Sequence, residues 1–375
     1  MATLVIISVG LLLYLAISLL PYREDIFEHI KGRWGRITYF TKDTSDSLVE
    51  EAVLKYAYGT HRRKMILSEH KGLIPDVKSL FHKKNGLSPT NNYYDAYYLV
   101  GLSYLGIKKK DPSLTSLLIS KGQKFIDIDN REINYEILLI DQIPIGIYYI
   151  NLYKLTADSL YFDVTKKIYK KLCSMLDSQG LLTYRNGIHY SDELGMCIPF
   201  LSEYHNITRD NSVREIIKKN VNYFREHGTD KNSGLPFHGF IKDSFVKIGS
   251  ANWGRGIGWY ALAMSFCPTD IFCDSAFDLT IQSIPYTQFP WSSSHFDSST
   301  ALMVEMYKLS RSFNGKASAS LDFIKEKIRT TGEVDFFSGD TYYFNDYSHK
   351  FGRSELGNGL LMMLIGRFGK DDEKE

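Results

Sequence analysis

The chain has 375 residues, of which 44% are hydrophobic and 23% are charged, which fits a folded protein and excludes a disordered or collagen-like one. Lysine and arginine number 45 against 43 aspartates and glutamates, so no global positive field exists to hold a nucleic-acid backbone. The four cysteines include no CxxC pair, so we expect free thiols and neither a disulfide framework nor a zinc site. Aromatic residues reach 14%, a surplus that a groove stacking sugar rings would use.

Residues 2–20 form an apolar stretch without a single charge. About 19 residues at about 1.5 Å rise each are just long enough to cross a hydrocarbon core of about 30 Å. A cleaved signal peptide is the alternative, but no Lys or Arg precedes the stretch to form a basic n-region. Four positive charges, from Arg23 to Arg36, follow it, and the positive-inside rule places the remainder in the cytoplasm. We therefore predict a single-pass helix in the inner (cell) membrane, in contact with the lipid bilayer.

From about Asp46 onward, apolar residues follow the helical period and short polar turns interrupt them, with no sustained alternation of period two. One unit appears four times: an aromatic-rich helix, a turn that carries Asp, and a second helix. The turn residues are Asp111, Asp158, Asp210 and Asp270. An Asp side chain at a helix start accepts hydrogen bonds from the first N–H groups. We predict that these aspartates cap the second helices and take no part in catalysis.

The early helices, a helix over 298–311 and a closing helix raise the total to about twelve helices in about six hairpins, which predicts an all-α fold. We expect a closed ring of helical hairpins; an open solenoid is the alternative, but solenoid repeats are more uniform and lack long loops. The predicted parts are a transmembrane anchor (1–22), a juxtamembrane linker (23–44), the ring domain (45–370) and a charged tail (371–375). Function is expected on the long loops at one end of the ring.

Three segments carry candidate acidic and imidazole side chains. Asp141 lies in an apolar stretch that opens a helix, where a buried carboxylate must be paired, capping or functional. Asp192 and Glu193 precede a strongly apolar helix, although acids at a helix start also complement the helix dipole. His238 lies between glycine and aromatic residues. A hydrogen-bonded structural histidine is the alternative interpretation there.

A fourth segment places Trp253, Arg255 and Trp259 between three glycines at the head of a helix. Packing alone explains this arrangement poorly. Binding explains it better, because glycine lets a ligand approach the backbone closely. Indole faces stack on sugars, and the guanidinium fork matches a carboxylate. We therefore predict that this segment binds an acidic sugar.

The ordered series of these segments resembles the unsaturated glucuronyl and rhamnogalacturonyl hydrolases, glycoside hydrolase families 88 and 105. The stretch WGRGIGWYALAM is similar to the family 105 signature W-x-R-G-N-G-W-x-x-x-A. SDELGMCIPFLSEY resembles the family's Asp-Asp-x-x-Met-x-x-Pro-Phe-Leu helix start, and SGLPFHGF its Gly-Leu-x-x-His-Gly segment. The resemblance runs from about Tyr93 to Phe368.

This resemblance implies an (α/α)6 barrel enzyme that hydrates the C4–C5 double bond of a terminal unsaturated uronic acid residue in an acidic oligosaccharide. Asp192 matches the family's catalytic acid/base and Asp141 its second essential carboxylate. One carboxyl group must be acidic first and basic afterwards, which calls for a raised pKa in a desolvated pocket. The implied substrate-binding residues are His238, Trp253, Arg255 and Trp259, with Tyr94 as a further candidate. No metal or organic cofactor is implied.

The chain departs from the family pattern at several positions. Ile257 stands where the family has Asn, Glu193 where it has Asp, and Ser191 where it commonly has an aromatic residue. A helix-start Glu of the family falls on Phe296 or, with a gap, on Asp297. Two alternatives therefore stay open: a catalytically silent barrel that binds or helps assemble a surface glycan, and an inverting glycosidase with two carboxylates about 6.5 to 9.5 Å apart.

Overall fold

The computed structural model describes residues 8–14, 16, 37–59, 93–184, 187–251, 253–284, 296–311, 320–338, 341 and 351–369. Helices dominate this part of the chain, as the apolar periodicity predicts. In chain order they are α1 (Asp46–Tyr58), α2 (Tyr93–Lys109), α3 (Pro112–Gln123), α4 (Ile145–Thr156), α5 (Ser159–Cys173), α6 (Ser191–Thr208), α7 (Asn211–His227), α8 (Gly254–Phe266), α9 (Ser275–Ser283), α10 (Ser298–Ser310) and α11 (Glu355–Phe368).

Six of these helices form a closed inner ring. Helices α2, α4, α6, α8, α10 and α11 are buried over most of their length, and each packs against the next. Helix α11 returns to α2, so the first and last members of the ring touch. This closure confirms the predicted all-α ring, fits an (α/α)6 barrel and excludes the open solenoid, whose ends do not meet.

The outer helices are amphipathic and cover the ring. Helix α7, for example, buries Val213, Ile217, Val221 and Phe224 at intervals of three and four residues, while its lysines face water. Helices α3, α5 and α7 each follow an inner helix through a short connection and α9 follows α8 through a longer one, which produces the predicted hairpins. Burial of the apolar stripes therefore joins the two layers.

Glycines permit the closest contact of the ring, between α2 and α11. A Cβ atom added to Gly101 would collide with the backbone of Gly359. A Cβ atom on Gly366 would lie 2.5 Å from the carbonyl carbon of Tyr104. No side chain fits at such distances, so these positions require glycine for the ring to close.

The capping prediction is confirmed at three of the four turns, namely at Asp111, Asp158 and Asp210. It is wrong for Asp270, whose carboxylate pairs with Arg214 on the neighbouring outer helix. The connection before α9 is longer, and Asp274 accepts hydrogen bonds from the first N–H groups of that helix instead. The repeat pattern located the turn but not the residue at which the helix begins.

Short strands connect the helices at one end of the ring. Strands β1 (Ile126–Asp127) and β2 (Glu132–Ile133) form one antiparallel pair. Strands β3 (Ile188–Tyr190), β4 (Gly239–Ile241) and β5 (Lys247–Ile248) form a three-stranded sheet, in which Tyr190 pairs with Gly239. Strands β6 (Phe337–Ser338) and β7 (Phe351–Gly352) form another pair. The register of β3 and β4 brings the loop that carries His238 to the start of α6.

Most of the predicted anchor and linker, and the whole charged tail, lie outside the described residues. Residues 8–14 are described; they are helical, and the side chains of Val9 and Leu12 are 50% and 67% exposed. Within the described ranges, no helix has both the length and the apolar character that a membrane span requires. The anchor and the division of the chain into four parts stay predictions.

Candidate active site

The inner helices run parallel, so that their N-terminal ends lie together at one end of the ring. Near the helix starts, the Tyr97 hydroxyl of α2 donates to the carbonyl of Gly195 on α6 at 2.5 Å. Near the helix ends, the Tyr104 hydroxyl of α2 donates to Glu203 of α6 at 2.8 Å. We call the end with the N-termini the site end, because the following predicted site residues lie there: Asp141, Asp192, His238, Trp253 and Arg255.

Asp192 lies in the first turn of α6 and keeps partial exposure. Burial raises its pKa from 3.8 to about 7, and the negative charge of Asp141 acts in the same direction. A hydrogen bond from the Ser191 hydroxyl at 3.3 Å and the charge of Arg255 oppose this shift. The helix dipole favours an ionised acid in a first turn, yet desolvation and a like charge prevail here. The surroundings of Asp192 therefore favour its protonated form.

Asp141 lies in a 3-10 turn, Ile140–Gln142, that leads into α4. The turn is held by Gln142, whose Oε1 accepts hydrogen bonds from the N–H groups of Leu138 and Leu139. Asp141 does not cap α4, since the position before that helix is Pro144. The Asp141 Oδ2 atom instead accepts a hydrogen bond from the Tyr184 hydroxyl at 2.7 Å. The capping alternative for Asp141 is therefore wrong.

Glu193 is a second buried acid beside Asp192, with 2% of its surface exposed. Its Oε1 atom accepts the N–H of Tyr184 at 2.8 Å, and its Oε2 atom lies 3.5 Å from Nδ1 of His189. Burial raises the pKa of Glu193 to about 7, against the opposing effect of His189. Sequence reasoning noted Glu193 as an acid beside Asp192 and as a departure from the family pattern, but it missed Tyr184 and His189 altogether.

His238 and Trp253 form an aromatic wall against the start of α6. Their ring centroids are 4.0 Å apart, and the Tyr190 ring lies 5.6 Å from that of His238. The N–H of Ser191 donates to the backbone carbonyl of His238 at 3.0 Å. A Cβ atom on Gly256 would lie 2.5 Å from the Trp253 ring and 3.1 Å from the Ser191 hydroxyl. The glycine thus allows Trp253 to lie close to Asp192's helix.

Arg255 is 2% exposed and braces the loop after α10. Its Nη2 atom donates to the carbonyl and hydroxyl oxygens of Ser338, and its guanidinium lies 4.6 Å from the Phe337 ring centroid. The N–H of Ser338 in turn donates to Asp297 at 3.1 Å. Because the charge of Arg255 also lowers the pKa of Asp192, the guanidinium is within electrostatic reach of the acid.

Asp297, one of the two positions matched to the family's helix-start Glu, is fully buried at the start of α10. Its Oδ2 atom accepts hydrogen bonds at 2.6 Å from the hydroxyls of Ser299 and Thr300. It also caps the helix through their N–H groups. Asp297 thus organises the loop that Arg255 braces.

Trp259 and Tyr94 lie deeper, within the packed interior of the ring. Trp259 is 1% exposed, with its ring centroid 5.6 Å from that of Tyr97, and a Cβ atom on Gly195 would lie 2.7 Å from it. Tyr94 is fully buried, 5.9 Å from Phe337. The structure does not bring these two side chains to the surface of the site end. Their role in substrate binding stays a prediction.

The described residues contain no group of three or more His, Cys, Asp or Glu side chains that could hold a metal ion. Among the predicted site residues, the site end offers one acid in the first turn of α6, a second in the 3-10 turn before α4, aromatic rings and one guanidinium. Such a set can transfer protons to and from a sugar ring, with the acid that has the raised pKa as the proton donor.

Comparisons with solved structures place the fold among carbohydrate-active enzymes. A family 105 glycoside hydrolase from C. acetobutylicum is similar with a TM-score of 0.61 and 16% identity, over 78% of this chain and 97% of that one. A possible family 105 member from Salmonella enterica serovar Paratyphi A has a TM-score of 0.66 and 13% identity, over 86% and 94%. An unsaturated glucuronyl hydrolase specific for heparin has a TM-score of 0.55 and 13% identity, over 86% and 96%. At these identities the likeness shows a shared fold.

The sequence itself gives the family. No curated protein matches the chain. The family model described as Glycosyl Hydrolase Family 88 matches residues 74–268, which include Asp141, Asp192, His238 and the Trp253–Trp259 segment. Because this match covers more than half of the chain, we conclude that the chain belongs to glycosyl hydrolase family 88.

Proposed function

We propose that this glycoside hydrolase hydrates the C4–C5 double bond of a terminal unsaturated uronic acid residue in an oligosaccharide. The observation that supports the proposal most directly is the pKa of Asp192, which burial and the charge of Asp141 raise to about 7. The reaction needs one group that is first an acid and then a base, and a pKa near the working pH serves both steps. A solved structure of similar fold is an unsaturated glucuronyl hydrolase.

In the proposed reaction, protonated Asp192 donates its proton to C4, and positive charge develops at C5 and the ring oxygen. The Asp192 carboxylate then takes a proton from the water molecule that attacks C5. The hemiketal so formed opens to a ketone at C5, which leaves a hemiacetal at C1. This hemiacetal releases the next sugar as an alcohol. Asp192 ends the cycle protonated, so no external acid is consumed.

Asp141 has a supporting role in this proposal. Its negative charge keeps a proton on Asp192, and two interacting carboxyls titrate as a pair. The hydrogen bond from Tyr184 stabilises the charged form of Asp141. We assign the wall of His238 and Trp253 to the sugar ring.

Arg255 is the proposed partner of the uronate carboxylate, since its charge lies near Asp192. One of its nitrogens is already held by Ser338. Arg255→Lys separates the two roles of the guanidinium. If Arg255 recognises the carboxylate, binding of the unsaturated uronide weakens more than binding of a neutral glycoside. If it only braces the Ser338 loop, the substitution lowers stability and weakens both ligands equally.

The proposal is tested by incubating the purified protein with unsaturated disaccharides from chondroitin, heparin and rhamnogalacturonan and following the ultraviolet absorbance of the double bond. Turnover by the wild type, and its loss in Asp192→Asn, would support the proposal. If the folded protein binds an unsaturated uronide but turns over none of them, the result would support a barrel that binds glycan without cleaving it.

An inverting glycosidase is the second candidate, and the effect of the Asp141 charge on the pKa of Asp192 supports it, because such an enzyme uses two carboxyl groups. An inverting enzyme hydrolyses saturated glycosides and needs no double bond. Release of reducing sugar from saturated oligosaccharides, without any effect on unsaturated ones, would favour this candidate.

We also propose that residues 1–22 anchor the enzyme in the inner (cell) membrane, with the barrel on the cytoplasmic side. The uncharged stretch and the exposed Val9 and Leu12 side chains support the proposal. Full-length protein should sediment with membranes, and a chain without residues 1–22 should remain in the supernatant and keep its helicity. Reporter fusions at the C-terminus test the side of the membrane separately.

A further inference from the structure

A chain of hydrogen bonds joins Asp141 to Glu193, the buried acid that the proposed mechanism does not use. Tyr184 donates twice: its hydroxyl to Asp141 Oδ2 at 2.7 Å and its N–H to Glu193 Oε1 at 2.8 Å. Tyr184 belongs to no helix or strand, so its position depends on such contacts. Glu193 therefore holds the residue that in turn holds Asp141.

Glu193 is itself fixed from the other side by His189. The imidazole Nδ1 lies 3.5 Å from Glu193 Oε2, and the ring packs between Phe240 at 5.1 Å and Tyr223 at 5.2 Å. His189 also pairs with Phe240 across strands β3 and β4. The glutamate thus connects a rigid sheet to the loop that carries Tyr184.

A buried carboxylate at this position is costly for the fold. An acid that is 2% exposed loses its hydration, and apolar residues of similar volume are often equally stable or more stable in such places. A glutamate here consequently needs a reason beyond packing, and its contact with the Tyr184 backbone supplies one.

We propose that Glu193 is a positioning residue for Asp141 and that it acts through Tyr184. The inference rests on the proposed function, because it assigns Glu193 a part in the reaction of Asp192 and Asp141. The length of the side chain is the essential property: glutamate reaches the Tyr184 N–H from the first turn of α6, and an aspartate is one methylene shorter. The charge of Glu193 is secondary.

The electrostatic consequence follows from the groups around the pair. The Tyr184 hydroxyl favours ionised Asp141, and ionised Asp141 raises the pKa of Asp192. Among the described residues, the charge of Arg255 lowers the pKa of Asp192, and the charge of Glu193 raises it slightly. The charges of Asp141 and Glu193 also both raise the pKa of the Cys197 thiol. Loss of the Tyr184 bond should therefore raise the pKa of Asp141.

Four variants of the full chain separate reach from charge. Glu193→Asp keeps the charge and loses the reach, whereas Glu193→Gln keeps the reach and loses the charge. Tyr184→Phe removes the hydroxyl from Asp141. Tyr104→Phe is the matched control, because it removes an equivalent tyrosine hydroxyl from a buried carboxylate, Glu203, at the other end of the ring.

We expect Glu193→Asp and Tyr184→Phe to lower kcat by about tenfold each with little change in KM, since misplacing a reacting group by about 1 Å costs up to 100-fold. The double variant Glu193→Asp with Tyr184→Phe should be no slower than either single variant, because both act through one contact. Glu193→Gln should retain more of the wild-type kcat than Glu193→Asp. Tyr104→Phe should leave kcat unchanged.

A carboxyl carbon-13 NMR titration of Asp141, identified by its loss in Asp141→Asn, tests the inference even if no unsaturated uronide is turned over. The pKa of Asp141 should rise in Glu193→Asp and in Tyr184→Phe, and it should not move in Tyr104→Phe. Circular dichroism of each variant checks that it folds. If Glu193→Asp does not fold, Glu193→Gln still tests the inference, because an Asp141 pKa that moves in Glu193→Gln as far as in Tyr184→Phe would make charge, not reach, the essential property.

Three results would overturn the inference. One is a Glu193→Gln enzyme slower than Glu193→Asp, which would make charge the essential property. Another is additive loss in the double variant. The third is an unchanged Asp141 titration in Glu193→Asp while Tyr184→Phe shifts it. Absence of turnover together with the expected titration shifts would instead reject the proposed reaction and leave the positioning intact.

Discussion

Two acids on helix α6, Glu203 and Asp192, have opposite environments. Glu203, near the C-terminal end, accepts hydrogen bonds from Tyr104 at 2.8 Å and Lys154 at 2.7 Å. Burial alone would raise its pKa, but the charges of Lys154 and Arg367 lower it below the ordinary value. Asp192, near the N-terminal end, has burial and a second acid acting together, and its pKa rises to about 7. Burial of an acid therefore costs little folding free energy where cations compensate its charge. Where no cation does so, burial leaves the acid with a raised pKa.

The same contrast holds for the two ends of the ring. At the C-terminal end, Arg311 donates to the carbonyls of Met264 at 2.7 Å and Cys267 at 3.3 Å, which satisfies the last turn of α8. The guanidinium of Arg367 lies 3.5 Å from the Phe266 ring centroid and donates a hydrogen bond to the carbonyl of Ser265. Cations at helix C-termini stabilise them, so the arginines at that end stabilise the fold.

The largest expected effect is on activity. Asp192→Asn should lower kcat on an unsaturated disaccharide by about 100-fold to 10,000-fold, because an amide neither donates an acidic proton nor accepts one. The substitution is nearly isosteric, so packing is preserved. Initial rates from the ultraviolet absorbance give the measurement, and an Asp192→Asn enzyme with full activity would remove Asp192 from the mechanism.

Glu203→Gln should lower the stability of the C-terminal end of the ring, where cations compensate the buried acid. We expect a loss of about 1 to 3 kcal/mol in the free energy of unfolding, below the cost for a fully buried pair because the Lys154 side chain is 36% exposed. The stabilisation that ionised Glu203 gives the wild-type protein is present at pH values above the unfolded-state pKa of this residue. It is lost as pH falls through the lowered folded-state pKa. Denaturant unfolding at several pH values measures it; kcat should not change.

Asp192→Asn should have the opposite effect on stability. The folded-state pKa of Asp192 is raised from 3.8 to about 7, so its stabilising contribution is present at low pH and is lost as pH rises through about 7. The variant should therefore be more stable than the wild type at pH 8, by about 1 to 2 kcal/mol. Unfolding curves at pH 4 and pH 8 check this; an equal difference at both would show that Asp192 is not held protonated.

The smallest effects concern the turns of the outer layer, away from both ends of α6. Asp158→Ala should cost about 1 kcal/mol of stability, because it removes the acceptor for the first N–H groups of α5. Asp270→Ala should cost less than Asp158→Ala, since its carboxylate is 62% exposed in an ion pair. Thermal unfolding compares the two, and equal losses would contradict the corrected assignment of the cap.

The fold was largely predictable from the sequence because helical periodicity and capping residues are local signals. Three of the four predicted caps are correct, and the fourth fails only because the connection before Asp274 is longer than in the other units. The closure of the ring was harder to predict, since it depends on a contact between Gly101 and Gly359 at distant positions of the chain.

Motifs mark candidate site residues such as Asp192 and Trp253 in the sequence itself. Tyr184 and His189 carry no motif: their importance comes from contacts with Asp141 and Glu193 that only the folded chain creates. Arg255 was predicted as a ligand for a carboxylate, whereas its bracing contact with Ser338 is visible only in the folded chain. Residue type thus marked the candidate residues, whereas the identity of their partners required the fold.

The pH dependence of kcat/KM on an unsaturated disaccharide tests the central claim most directly, since it reports the protonation of the free enzyme's acid. The account predicts a rate that falls as pH rises through an apparent pKa of about 7, which belongs to the pair of Asp192 and Asp141. The range to measure is pH 5.5 to pH 8.5, which extends about 1.5 units on either side of that pKa. A rate that stays constant or rises over this range would contradict the prediction.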